Sequence, residues 1–92
     1  MKLGTRIKRI KRTDAERYRI TLEYADGFSG TVDLRFVFED APRKPLVAEI
    51  LRGGFFDRCF VESGALAWAN GYELCPDAIR ARIIEQRRGR AA

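Results

Sequence analysis

A strictly alternating segment at residues 18–24, YRITLEY, constrains the fold more than any other feature. Its apolar residues fall on every second position, so they share one face of a β-strand while arginine, threonine and glutamate occupy the other. The turn residues Ala-Asp-Gly follow directly, and a second apolar run begins at Phe28. The segment therefore predicts a half-buried strand that opens a β-hairpin.

The register of this hairpin follows from the residues that would face each other. A two-residue loop would place Tyr24 opposite Ser29 and mix buried with polar partners. A three-residue loop with Gly27 in the left-handed conformation instead places Tyr24 opposite Phe28. That register also pairs Leu22 with Gly30, Ile20 with Val32, and Tyr18 with Leu34. We predict the three-residue loop, with Gly30 marking a bend or a close approach of another element.

Residues 60–79, FVESGALAWANGYELCPDAI, predict a second hairpin and the start of a helix. Ser-Gly at 63–64 can take the positive φ angles of a tight turn, which would pair Val61 with Leu66 and Cys59 with Trp68. Asn-Gly at 70–71 marks a further turn.

The helix is expected to begin near Pro76, because proline suits the first helical position and Asp77 suits the helix dipole. It would run to about Arg88 as an amphipathic cover. Its apolar side is predicted to hold Ala78, Ile79, Ile83 and Ile84.

Three shorter features complete the chain. Residues 5–11 read as an exposed edge strand with Ile7 and Ile10 among basic residues, and residues 13–15 break the pattern. After Phe36 and Phe38, which would anchor its start, residues 39–45 read as an exposed connection. A helix of about two turns then follows Pro45, with apolar residues at helical spacing: Leu46, Val47, Ile50 and Leu51.

The fold class expected is α+β: a small single domain with an antiparallel sheet built from hairpins, a short middle helix and a C-terminal helix. Residues 1–92 form one domain with its core at about 5–88, a basic N-terminus and a frayed GRAA tail. Membrane helices need roughly 20 apolar residues, and the N-terminus lacks the apolar region of a secretory signal. We therefore expect a soluble cytoplasmic protein whose two cysteines are reduced, small core residues.

The formal charge of +5 is concentrated at the ends of the chain. Residues 1–12 hold six basic residues and no acid, and residues 80–92 hold five arginines and one acid, whereas the middle is acidic. Basic ends can contact nucleic acid or an acidic partner, or can simply keep the protein soluble. The candidate phosphate contacts are Lys8, Arg9, Lys11, Arg12, Arg80, Arg82, Arg87 and Arg88. No aromatic residues interleave with them in the sequence, so binding would be weak and salt-dependent.

Motifs for catalysis are missing from the sequence. Histidine is absent, which removes the commonest general base and most zinc sites, and no glycine-rich phosphate motif occurs. Cys75 at a helix start can be reactive, but a packed, helix-capping position is the simpler interpretation. Of the three aspartates Asp26, Asp33 and Asp77, the first and last have local roles at a turn and a helix start, which leaves Asp33 as the one on a strand. We expect no enzyme activity, no cofactor and no metal.

Trp68, Asn70 and Gly71 form a candidate partner-binding corner, because tryptophan is enriched among interface anchors. The alternative is that Trp68 belongs to the core.

Several of these features together resemble the bacterial family called domain of unknown function 2442, over roughly residues 5–80. They are the Asp-Gly strand end, Val32-Asp33-Leu34, Trp68-Ala69-Asn70-Gly71 and Leu74-Cys75-Pro76-Asp77. This chain has Ala69 where the family often has a proline, and Glu73 stands where the family often has an acid. The resemblance implies a small α+β domain without catalytic residues, and in some members a neighbouring partner gene in a suspected toxin–antitoxin pair. Longer members add a helix-turn-helix domain.

The leading functional hypothesis is a non-enzymatic protein-binding module, and the resemblance extends it to the antitoxin-like partner of a neighbouring gene product. The alternative is weak phosphate-backbone nucleic-acid binding through the basic termini, and a small enzyme is third.

Overall fold

The computed structural model describes residues 5–39, 44–52 and 54–91, with backbone alone for residues 90 and 91. In these residues two three-stranded antiparallel sheets, β1-β2-β3 and β4-β5-β6, accompany three α-helices and a short 3-10 helix at Phe56–Arg58. The bounds are β1 Ile7–Asp14, β2 Arg19–Tyr24, β3 Ser29–Asp33, α1 Arg35–Phe38, α2 Pro45–Ile50, β4 Phe60–Glu62, β5 Ala65–Ala67, β6 Glu73–Leu74 and α3 Pro76–Ala91. The α+β class is confirmed, although the hairpins form two sheets where one was predicted.

The hairpin of β2 and β3 has the predicted register. Its strands pair Ile20 with Val32 and Leu22 with Gly30, and the backbone N–H of Tyr24 donates to the carbonyl of Phe28 over 2.7 Å. Gly30 marks the predicted close approach, because a Cβ built on it would lie 2.6 Å from the Cγ2 atom of Ile83 on α3. Helix α3 therefore packs directly on β3.

A second turn, Trp-Ala-Asn-Gly-Tyr at 68–72, repeats the geometry of Tyr-Ala-Asp-Gly-Phe at 24–28. In both, the first aromatic residue accepts from the glycine N–H over 3.0 Å and donates to the last aromatic residue. In both, the Asx side chain accepts from the backbone N–H two residues on, over 3.0 Å from Asp26 and 3.1 Å from Asn70. Gly27 and Gly71 each have φ of 92°. The sequence analysis missed this recurrence, and it also missed β6, which the second turn introduces.

The segment between the sheets has more structure than predicted. Residues 35–38 form the short helix α1, where the sequence predicted only the start of an exposed connection, most of which (40–43) lies outside the described residues. Helix α2 matches the predicted two-turn helix and buries Val47 and Ile50. Leu46 and Leu51 were assigned to its apolar face but are 44% and 38% exposed.

The second hairpin confirms one of its two predicted pairs. Val61 faces Leu66, and Ser63 and Gly64 have φ of 51° and 84°, as a tight turn requires. The pair of Cys59 with Trp68 belongs to the same register but lies one residue beyond the ladder, which ends at Phe60 opposite Ala67.

Helix α3 begins at Pro76 as predicted, and the N–H of Ile79 donates to the carbonyl of Cys75 over 3.1 Å. It buries Ile79 and Ile83, but Ala78 is exposed and Ile84 is 37% exposed, so its apolar stripe is narrower than expected. The helix continues to Ala91, where a frayed tail was predicted.

One aromatic chain joins the two sheets. Tyr18 contacts Phe38 and Phe56 with ring centroids 5.0 and 5.7 Å apart, Phe56 contacts Trp68 at 6.3 Å, and Trp68 contacts Tyr72 at 6.0 Å. Edge and tilted arrangements of this kind add to the stabilisation from apolar burial. The core therefore spans both sheets, and α3 covers β3.

Candidate binding surface

Strand β1 has an unusual period of three, visible in the sequence as Ile-Lys-Arg repeated at residues 7–12. Two residues three apart cannot share a face of a regular strand, whose period is two. The structure resolves the conflict with irregularities between Ile7 and Arg9 and between Ile10 and Arg12, where two residues of β1 oppose one residue of β2. These β-bulges keep Ile7 and Ile10 facing Tyr24 and Leu22.

The bulges also bring four cations to the exterior of one strand. We call Lys8, Arg9, Lys11 and Arg12 the basic strand face; all four residues are exposed. A regular strand would turn about half of its residues inward. The sequence analysis singled out these residues, and the structure brings them together.

Acidic residues stand beside the basic strand face. Arg9 forms an ion pair with Glu23 on β2, and Asp14 at the end of β1 lies opposite Arg19. The hydrogen bond from Arg9, helped by the charges of Lys8 and Lys11, holds the pKa of Glu23 below its usual value. The outer surface of the first sheet therefore carries mixed charge, with the cations in excess along β1.

The second basic group, on α3, is built into the fold. The guanidinium of Arg80 lies 4.2 Å from the ring centroid of Phe28 and forms an ion pair of 2.9 Å with Asp26. The backbone hydrogen bond from Phe28, and then Arg80, lower the pKa of Asp26. Arg80 thus fastens α3 to the turn at residues 25–27.

Two more helix arginines pack on aromatic rings. Arg82 lies 4.2 Å from the ring centroid of Phe36, and Arg87 lies 5.1 Å from that of Phe28 while donating to the carbonyl of Ser29. This packing could not be predicted from the sequence, because the rings belong to distant segments. Of the predicted phosphate contacts on α3, Arg82, Arg87 and Arg88 are exposed and Arg80 is half-buried. Arg80, Arg82 and Arg87 also pack on aromatic rings, so these three have structural roles. Their removal should therefore disturb the fold.

The predicted partner-binding corner is mainly structural. Trp68 is 2% exposed, and its indole N–H donates to the carbonyl of Phe56 over 3.2 Å. Asn70 donates to the carbonyl of Leu46 and to Glu49 on α2, and Gly71 is exposed in the turn. Because its ring is buried, Trp68 belongs to the core, which was the alternative interpretation of this residue.

A cleft of about 570 Å³ opens between β3, α1 and α3. Its lining includes Arg19, Asp33, Arg35, Phe36, Glu39 and Gln86. Partial burial acts to raise the pKa of Asp33, but hydrogen bonds from Arg35 and the charges of Arg35 and Arg19 outweigh it and lower that pKa. The strand acid singled out by the sequence is therefore a carboxylate held by two arginines.

The cysteines differ from each other. Cys59 is half-buried against the core, and burial raises the pKa of its thiol to about 11. Cys75 caps α3 as expected but is exposed, so its prediction as a packed residue is wrong. Among the described residues, no group of three or more acidic or cysteine side chains is placed to hold a metal ion.

Comparisons with known protein families, with curated proteins and with solved structures found no match, so the family resemblance stays a prediction. In the described part of the chain, no helix is both long enough and apolar enough to cross a membrane. Fold and surface together define a small α+β domain with a bulged basic strand.

Proposed function

We propose that this domain is a non-enzymatic protein-binding module whose partner is an acidic protein, docking on the basic strand face. The observation that supports this most is the cation-rich outer surface of β1. Lys8, Lys11 and Arg12 are exposed there and form no ion pair with the described residues.

Side chains rather than the strand edge would make the contacts. Bulges and edge lysines are devices by which natural sheets avoid pairing with a further strand. The first residue of β1 is also engaged, because the N–H of Ile7 donates to the carbonyl of Gly64 over 2.9 Å. An acidic partner recognised by charge would associate at a rate that falls as salt is added.

Mixed charge favours a protein over a nucleic acid. Glu23, Asp14 and Asp33 lie on the same sheet surface as the cations, and such acids would repel a continuous row of phosphates. A protein partner can place basic groups against them. The family resemblance adds the candidate partner, the product of the neighbouring gene, which would make this chain antitoxin-like.

The test compares two triple variants in binding to the neighbouring gene product. Replacing Lys8, Lys11 and Arg12 by glutamine removes three charges from the basic strand face and keeps the Arg9–Glu23 pair. The matched control replaces Arg52, Arg58 and Arg88, three exposed arginines elsewhere on the chain, by glutamine. We expect the first variant to bind about tenfold or more weakly and the control to bind within about twofold of the unaltered protein. No binding, or equal loss in both variants, would contradict the proposal.

Phosphate-backbone binding is the second candidate, favoured by the clustering of four exposed cations on β1. Four phosphate contacts would give a slope of about −3 to −4 in log K against log salt on duplex DNA, with little sequence preference. Isolated binding is expected to be micromolar or weaker at physiological salt. Tight, sequence-selective DNA binding by this chain would replace the protein-partner proposal.

A further inference from the structure

Arg19 has an unusual position at the cleft between β3, α1 and α3. Its Nε atom is buried and has no hydrogen-bond partner, although its side chain as a whole is 34% exposed. The nearest carboxylate oxygen, Oδ2 of Asp33, lies 3.9 Å away, which is too far for a hydrogen bond. Buried polar atoms are nearly always satisfied, so this N–H calls for an acceptor. A ligand in the cleft would supply one if the partly exposed Arg19 side chain turns toward it.

Asp33 does not supply that acceptor because Arg35 already occupies it. The side chain of Arg35 donates to both oxygens of Asp33 at distances of 2.7 to 3.1 Å, and its backbone N–H donates to Oδ1 over 3.0 Å. Gln86 is also committed, since its amide pairs with the backbone N–H and carbonyl of Asp33. Among these polar groups of the cleft, Arg19 is the cation whose Nε–H donor has no acceptor.

The lining indicates which kind of anion would fit. Arg19 and Arg35 are balanced by Asp33 and Glu39, so the added charge of a monoanion is tolerated better than that of a dianion. A guanidinium presents parallel N–H donors that match the two oxygens of a carboxylate. Phe36 supplies an apolar wall, and the cleft of about 570 Å³ is open to solvent, so a small ligand would be partly exposed in it.

We propose that the cleft binds a carboxylate, whose oxygens accept hydrogen bonds from Arg19 while its apolar part lies against Phe36. The carboxylate can belong to a small organic acid or to an acidic side chain. This inference goes beyond the proposed function and uses no residue of the basic strand face. Either proposal can therefore fail without the other.

The Nε–H signal of Arg19 in ¹⁵N-correlated NMR spectra is the direct readout. The probes are benzoate, benzamide as its neutral analogue of similar shape, phenyl phosphate as a dianion, and N-acetylglutamate α-amide as an acidic side chain. Benzoate is expected to shift the Arg19 signal saturably, with a dissociation constant of about 10 mM or lower for so small a ligand. Arg19→Lys should weaken binding at least about fivefold, because lysine keeps the charge and loses the paired donors. Arg58→Lys, on an exposed arginine outside the lining, should leave it unchanged.

The comparison of benzoate with benzamide uses the unaltered protein, so it does not depend on how a variant folds. Stronger binding of the glutamate derivative than of benzoate would support the proposal and assign the carboxylate to a partner's side chain. The proposal is overturned if no probe gives a saturable shift at Arg19. Equal shifts by benzamide, or tighter binding of phenyl phosphate, would also overturn it.

Discussion

Gly27 and Gly71 occupy equivalent places in the two aromatic-flanked turns, and both have φ of 92° with no atom within 4 Å of a built Cβ. Replacing either by alanine should therefore cost only the backbone strain of the left-handed region, about 1 kcal/mol in the free energy of unfolding.

Gly89 on α3 provides the control. It also has open space around a built Cβ but no positive φ, so Gly89→Ala should stabilise the helix by about 0.5–1 kcal/mol. Urea unfolding of the three variants would measure the expected loss of stability at Gly27 and Gly71 and the expected gain at Gly89. Equal effects at all three positions would refute the strain argument.

Cys75 should react with iodoacetamide well before Cys59. Cys75 is exposed, whereas burial raises the pKa of Cys59 to about 11 and keeps its thiol protonated at neutral pH. Mass spectrometry after alkylation at pH 8 would give the order of modification. Faster modification of Cys59 would mean that its surroundings open easily.

The raised pKa of Cys59 also predicts how stability depends on pH. The unfolded chain releases this proton near pH 9 and the folded protein near pH 11. The contribution of the Cys59 thiol to the free energy of unfolding is therefore complete below about pH 9, and it is lost as the pH rises toward 11. Cys59→Ser should reduce the decline of the unfolding free energy across this window. Burial raises the pKa of Tyr24 and Tyr72 in the same direction, so a residual decline above about pH 10 is expected in the variant.

Helix α3 protects the outer edge of β3 by means of side chains. Gln86 accepts from the N–H of Asp33 over 2.9 Å and donates to its carbonyl over 3.0 Å, in the manner of a neighbouring strand. Gln86→Ala should therefore cost about 1–2 kcal/mol, because both partly buried backbone groups lose their partner. Glu85→Ala, at an exposed neighbouring position, should change stability by less than about 0.5 kcal/mol. If thermal or urea unfolding shows equal effects, α3 does not cap this edge.

The elements that could be predicted from the sequence are those marked by local patterns of residues. The register of β2 and β3 could be predicted, because of the two registers considered only the one that pairs Tyr24 with Phe28 puts the apolar residues on one face. The start of α3 followed from Pro76. Strand β1 was harder, because templates of period two treat the spacing of Ile7 and Ile10 as an imperfection rather than as the mark of two bulges.

Features that depend on contacts between distant segments could not be predicted from the sequence. Stacking of Arg80 on Phe28 joins residues far apart in the chain, so a count of charges overestimated the free basic surface of α3. The partnerless Nε of Arg19 likewise follows from how Asp33 and Arg35 pair in space. Half of the predicted phosphate contacts lie within the single strand β1, but the sequence did not show that all four share one surface, because that depends on the two bulges.

The two sheets should unfold together. The hydroxyl of Tyr24 in the first sheet donates over 2.8 Å to the carbonyl of Pro76 at the start of α3, and the aromatic chain crosses between the sheets. Trp68 fluorescence reports the second sheet, and the NMR signals of Leu22 report the first. We expect coincident urea transitions for the two probes. An earlier transition at Trp68 would show that the second sheet is a separate unit.

The paired five-residue turns have a consequence for the order of folding. Each closes on itself through two backbone hydrogen bonds, one Asx hydrogen bond and one contact between neighbouring rings. Hairpins organised by such local contacts form in about 1–10 μs, whereas contacts between distant residues wait for loop closure. The bond from Tyr24 to Pro76 spans 52 residues. The two turns are therefore expected to form early, and the docking of α3 on β3 is expected to come later because it depends on distant contacts.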